Sequence, residues 1–132
     1  ADKYPKKMAF FEGFSVRKAH MIEAGSDFFL MPSLFEPCGL NQMYSLAYGT
    51  LPIVRAVGGL KDTVIDLAEE PMSATGFVFE QPDSSALLSC IERALLFYHE
   101  LPKALELTQQ RAMQSRFTWE AAAQDYQALY LS

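Results

Sequence analysis

AGSDFFLMPSLFEPCGLNQMYSLAYGTLPIVRAVGGLKDTV, residues 24–64, decides the fold. Phe28, Phe29, Leu30 and Met31 make a short apolar run closed by Pro32. A strand that is apolar on both faces belongs to a parallel sheet covered by helices. Leu40, Met43, Tyr44 and Ala47 then recur at helical spacing, which predicts a helix over residues 39–48 stopped by Gly49. Residues 51–54 read as the next strand, and Gly58-Gly59 as a flexible turn. Ligands of open α/β sheets bind beyond the carboxyl ends of the strands, where loops lead into helix N-termini. The loop that follows the first of these strands carries one carboxylate, Glu36, in an uncharged setting (Glu36-Pro37-Cys38-Gly39).

Upstream, residues 6–11 (KKMAFF) are expected to form a short buried strand, with a turn at residues 12–14. Ser15 is the expected N-cap of a helix over residues 16–24 that places Val16, Ala19, Ile22 and Glu23 on successive turns and stops at Gly25. Downstream, Leu60, Val64 and Leu67 suggest a short helix, residues 68–75 a loop, and residues 76–80 (GFVFE) another strand. Asp83 is placed to cap a helix bearing Leu87, Ile91, Leu95 and Tyr98, and Pro102 suits the first turn of the next, which carries Leu105, Thr108 and Ala112. Thr118 opens a last helix with Trp119, Ala122, Ala123, Tyr126, Leu129 and Tyr130 on one stripe, which needs a covering partner. Strands alternating with helices, then helices alone, predict an α/β fold: a partial doubly wound parallel sheet with a C-terminal helical tail. Three or four strands leave an open edge where further strands belong, so the chain is expected to be part of a larger protein.

The 132 residues fit one compact domain or a piece of one, and with half of them apolar they supply a packed core. A net charge of −5 without basic blocks argues against nucleic-acid or anionic-membrane partners. Two cysteines make neither a disulfide framework nor a zinc site, which points to a reducing compartment. No clustered ligand set or paired-aspartate motif is visible, and metal independence is expected.

Each candidate site residue has a functional and a plain reading. Glu36 can accept hydrogen bonds from a bound ligand or cap the following helix. Gly39, Leu40 and Asn41 open a helix whose free amides suit an anionic group, though any helix start has such amides. Gly58 and Gly59 allow close approach to a ligand or form an ordinary turn, and Phe14 either stacks on a ligand ring or packs in the core. Cys38 offers small size and a backbone amide rather than a nucleophile. His20 is expected to be structural, and His99 to sit at a helix C-terminus.

The words FEPCGL (residues 35–40) with Gln42 and Tyr44, YGTLP (48–52), Val54-Arg55, Gly58-Gly59-Leu60, Asp62-Thr63-Val64, TGFVF (75–79) and the closing Phe117-Thr118-Trp119 resemble the bacterial glycogen synthase and plant starch synthase family. The resemblance runs from about Gly13 to the end. It implies a two-domain GT-B glycosyltransferase, of whose C-terminal, nucleotide-sugar-binding domain residues 1–116 are the second half, with residues 117–132 a helix crossing back to the N-terminal domain. It implies a retaining glucosyltransferase that moves glucose from ADP-glucose, or UDP-glucose, to the non-reducing end of an α-1,4-glucan. Glu36 is then the catalytic-site carboxylate, with Cys38, Gly39, Leu40, Asn41, Phe14, Gly58 and Gly59 binding substrate. No metal or cofactor is implied beyond the donor, and the acceptor glucan is bound through the missing N-terminal domain. The implied location is the bacterial cytoplasm, or a plastid in a plant. Phe14 stands where the family has a tyrosine, Asn41 where it has a threonine, Tyr44 where broader GT-B families carry a second glutamate, and Ala56-Val57 replace the commoner pair before the glycines. A non-enzymatic nucleotide-binding or flavodoxin-like interaction module is the competing reading, and a nucleotide-sugar epimerase a third.

Overall fold

The computed structural model describes residues 3–131. Its elements are α1 (Val16–Ala24), β1 (Phe28–Met31), α2 (Asn41–Tyr48), β2 (Leu51–Arg55), α3 (Gly59–Thr63), β3 (Phe77–Phe79), α4 (Ser84–Glu100), α5 (Pro102–Gln114) and α6 (Trp119–Leu131). The three strands form one parallel sheet in the order β1-β2-β3, with Phe28 opposite Leu51 and Ile53 opposite Phe77. The expected α/β architecture is present.

Alternation along the strands sends side chains to two cores. Leu51, Ile53, Phe77 and Phe79 meet Leu46 of α2, Cys90, Ala94 and Phe97 of α4, and Leu105 and Ala112 of α5. On the opposite face Val54 and Val78 pack with Leu60 and Val64, from α3 and its C-cap, and with Met31. Phe77 is the largest fully buried side chain, and its ring meets those of Phe28 and Phe97 edge-on, each at 5.9 Å. Burial of such a ring contributes about 1.5–3 kcal/mol, with about 0.5–1.5 kcal/mol more for each edge-on pair.

The caps follow the sequence. Ser15 accepts a hydrogen bond from the Lys18 amide, Asp83 accepts one from the Ala86 amide, and Gly49 closes α2 in the left-handed conformation. Leu105, Thr108 and Ala112 are the buried residues of α5, as its pattern predicts. Four expectations need correction. Residues 6–11 form no strand; they run as turn and coil, and Phe10 is 80% exposed, with no neighbouring strand to pair with among the described residues. On α1 only Glu23 is buried, while Val16 and Ile22 are exposed, since α1 meets α2 along one narrow line. On α4 the buried stripe is Cys90, Ala94 and Phe97, of which the first two are small enough to let the helix approach the sheet while the Phe97 ring packs on Phe77, and Leu95 lies on the outer flank. The start of α2 is Asn41, two residues later than expected. In the described chain β1 pairs on one side only, and the Trp119, Tyr126, Leu129 and Tyr130 side chains of α6 are all exposed.

Asp66, 5% exposed, ties the α3–β3 connection to α4: it accepts from both terminal nitrogens of Arg93 at 3.0 and 2.9 Å and from the Ala68 and Val78 amides. Burial alone would push its carboxyl up, but the Arg93 and backbone hydrogen bonds outweigh that and hold it below the usual carboxylate range. A carboxyl lowered on folding adds stability that is present above its unfolded titration range and lost as pH falls through its folded one. Glu23, also buried, has the opposite sign. Burial raises its carboxyl, with His20 only partly offsetting this, so its contribution is lost as pH rises. Asp66→Asn in the full-length protein is expected to cost about 2–4 kcal/mol, less than a fully buried pair because Arg93 is partly solvated. Thermal unfolding followed from neutral to acid pH should show the wild type losing this margin and Asp66→Asn losing far less.

Candidate functional site

The loops that follow β1 and β2 meet at the carboxyl end of the sheet, and backbone contacts join them. Gly58 has φ +47° and ψ −138°, and a Cβ built there would fall 1.9 Å from the Glu36 carbonyl oxygen. At Gly59 the Cβ would fall 2.2 Å from the Cys38 carbonyl oxygen, and the Gly59 amide donates to Pro37 O at 3.3 Å. Both glycines therefore serve a close approach, and the neighbour they admit is the Glu36 loop itself. Arg55, at the end of β2, reaches back to the start of that loop: Nε donates to Ser33 O at 2.8 Å and Nη2 to Leu34 O at 2.5 Å.

On this frame Glu36 is half-buried, with the Ser33 hydroxyl 3.5 Å from its Oε2. The capping alternative does not hold, because Leu40 is the N-cap residue of α2 and no side chain caps the helix. Among the described residues the first-turn amides of α2 thus have no side-chain acceptor, and with the helix dipole behind them they favour a negatively charged group. Cys38 and Asn41 are exposed on either side of half-buried Gly39, and exposed Leu40 stands next to Asn41. The Cys38 thiol lies 3.5 Å from Gly39 O.

Phe14 is 94% exposed, which rules out the core reading. Together with Val16, His20, Asn41 and Tyr44 it lines a groove of about 470 Å³ between the start of α1 and the start of α2. A second groove, of about 520 Å³, runs from Cys38 and Met43 to Phe117, Trp119 and Ala122 at the start of α6. The structure thus brings Glu36, Cys38, Gly58 and Gly59 into one loop pair, and sets Phe14 beside Asn41. His20 sits against the Tyr44 ring at 5.2 Å, with Nδ1 3.6 Å from Glu23 Oε2. His99 lies in the last turn of α4. Among the described residues no three His, Cys, Asp or Glu side chains group as metal ligands, and no helix is long and apolar enough to cross a membrane.

Sequence reasoning missed Ser33, Arg55, Gln42 and Thr63, all of which hold this loop. Arg55, Gln42 and Thr63 lay within the quoted motifs; their long-range partners left no local signal.

The fold recurs in solved structures. The catalytic domain of starch synthase IV from Arabidopsis thaliana, bound to ADP and acarbose, superposes with a TM-score of 0.80 at 36% identity, over 90% of this chain and 25% of that one. A sucrose-phosphate synthase from Thermosynechococcus elongatus gives a TM-score of 0.67 at 29% identity, over 98% of this chain and 31% of that one. The family described as glycosyl transferases group 1 matches residues 2–110. The chain belongs to the glycosyl transferases group 1 family. Similar members include the glycogen synthase of Aeromonas salmonicida (strain A449), 56% identical over 98% of this chain, and that of Vibrio cholerae serotype O1 (strain M66-2), 60% identical over 94%. The chain spans about a quarter of their length, 27% and 26% respectively. Within the family, then, it is the portion that carries the loops at the carboxyl end of this sheet.

Proposed function

We propose that the chain is the donor-binding portion of a retaining glucosyltransferase that moves glucose from ADP-glucose to the non-reducing end of an α-1,4-glucan. One observation carries this: a half-buried carboxylate, Glu36, held beside an uncapped helix start at the carboxyl end of a parallel sheet. Glycosyl transfer needs an acceptor for sugar hydroxyls next to a site for a departing diphosphate. Glu36 supplies the first, and the amides at Gly39, Leu40 and Asn41 supply the second. Phe14, at the open groove next to Asn41, offers a face on which a base stacks. Gly58 and Gly59 act through the loop they support. The glycogen synthase relatives and the ADP-bound starch synthase neighbour support the choice of ADP-glucose and glucan, and the bacterial relatives support a cytoplasmic setting.

The rest of the protein supplies the glucan site and the cationic groups for the diphosphate. Lost oriented groups each cost several kcal/mol of barrier, so the isolated chain is expected to transfer no glucose. The test is incorporation of labelled glucose into glycogen by the full-length protein. ADP-glucose should support elongation, and absence of transfer from both ADP-glucose and UDP-glucose overturns the proposal. No metal takes part in this scheme, so transfer should persist in excess EDTA, and loss of activity restored by a divalent cation would contradict it.

The exposed face of α6 fits a helix that packs against the other domain. Tyr126→Glu in the full-length protein should then lower its thermal stability by about 1–3 kcal/mol. An unchanged unfolding curve would leave α6 without that role.

A further inference from the structure

We propose that Gln42, acting through Thr63, is the positioning residue that fixes the Glu36 loop for catalysis. This rests on the role given to Glu36 above. The Glu36 side chain has one polar contact among the described hydrogen bonds, the Ser33 hydroxyl at 3.5 Å, so its place is inherited from the backbone that carries it. That backbone is held at its carbonyls. Arg55 takes Ser33 and Leu34, the Gly59 amide takes Pro37, and Gln42 takes Cys38 and Gly39, each at 3.0 Å from Nε2.

Gln42 is fully buried, a rare setting for glutamine, on the first turn of α2 beneath the loop. Its Nε2 also points at Thr63 Oγ1, 3.3 Å away, and the Thr63 hydroxyl in turn donates to Gly59 O at 2.5 Å. Nε2 carries two protons for these three acceptors, so the contact to Thr63 is the longer, shared one, and Thr63, whose one proton goes to Gly59, can only accept there. The amide orientation is set by the same logic: turned over, Oε1 would face two carbonyl oxygens. The result is a closed circuit, from the Cys38 carbonyl through Gln42 and Thr63 to Gly59, and from the Gly59 amide back to Pro37. It joins α2, α3 and both site loops. The fit is tight on the other side too, since a Cβ at Gly39 would lie 2.5 Å from Gln42 Oε1. The Gln42 side chain is fully buried beneath the loop, so its effect on chemistry runs through the placement of Glu36 and of the α2 amides.

The test uses the full-length protein with Gln42→Met, which keeps the length and removes both donors, and Thr63→Val and Thr63→Ser. Two readouts are taken: steady-state transfer from ADP-glucose, and amide hydrogen exchange across residues 33–41. Gln42→Met and Thr63→Val should each lower kcat by about 10- to 100-fold, the cost of a small misplacement at the reacting centre, with KM for the donor within about threefold. Exchange across residues 33–41 should quicken by about tenfold or more while that of α5 stays unchanged. Thr63→Ser, which keeps the hydroxyl, should recover most of the turnover lost in Thr63→Val. If Gln42→Met does not fold, Thr63→Val decides by the same two readouts. Folded variants whose kcat or loop exchange matches wild type overturn the proposal, as does a loss of kcat matched by an equal rise in KM. Should wild type transfer nothing, the glucosyltransferase reading falls by itself, and the exchange data alone then decide whether the clamp exists.

Discussion

Glu36→Ala in the full-length protein is expected to lower kcat by about 10²–10³-fold, the usual cost of removing one preorganised polar group from a reacting centre. The carboxylate caps no helix and its side chain makes one long contact with Ser33, so its removal takes away little that the fold uses. Thermal unfolding should therefore shift by less than about 1 kcal/mol, as for a half-exposed polar residue without a buried partner. Glu36→Gln separates charge from shape. It keeps a hydrogen-bond acceptor but loses the charge assistance, which roughly halves the strength of each bond, so its turnover should fall between wild type and alanine. Initial-rate measurements at saturating donor check both variants. Turnover within twofold of wild type would remove Glu36 from the chemistry, and simple unfolding would return it to a structural role.

Gly58→Ala carries the largest expected loss of stability. The added methyl meets the Glu36 carbonyl oxygen at 1.9 Å, a contact no rotamer relieves because both partners are backbone, and φ +47° with ψ −138° is itself foreign to alanine. Strain and overpacking together should cost about 2–5 kcal/mol or drive the two loops apart. Gly59→Ala isolates the steric part, since Gly59 opens α3 without a positive φ, while its Cβ lies 2.2 Å from Cys38 O. Gly49→Ala is the control. Its φ of +78° is left-handed, but the nearest atoms belong to the flexible Met113 side chain at 3.2 Å, so about 1 kcal/mol is expected. Chemical denaturation of the three variants should rank Gly58→Ala and Gly59→Ala well above Gly49→Ala. Equal losses would mean that conformational freedom, and not loop contact, accounts for the paired glycines.

Much of this architecture was legible where local signals agree. Ser15 with Gly25, Asp83, and Pro102 with Leu105, Thr108 and Ala112 each combine a terminus with a periodic face, and the structure follows them. Residues 6–11 misled because an apolar run describes what a strand buries, and whether it pairs depends on a neighbour the run does not encode. Val16 and Ile22 misled for the same reason, since α1 has the pattern of a covered helix and α2 covers only one line of it. At the site, Glu36 was found through its loop position and family words. The contacts that hold it were not. Arg55 with Ser33, Gln42 with Thr63, and Asp66 with Arg93 join residues about twenty to thirty positions apart, separations that only the parallel crossovers bring together. Gly58-Gly59 showed a place that needs glycine, and only the packed loops show which backbone it admits.

The most direct measurement is a crystal structure of the full-length protein with ADP-glucose and an unreactive acceptor. The account predicts the glucosyl hydroxyls within hydrogen-bond distance of the Glu36 carboxylate, the diphosphate over the Gly39–Asn41 amides and the adenine in the groove beside Phe14. A donor bound with its sugar away from Glu36, or outside the loops that follow β1 and β2, would contradict it.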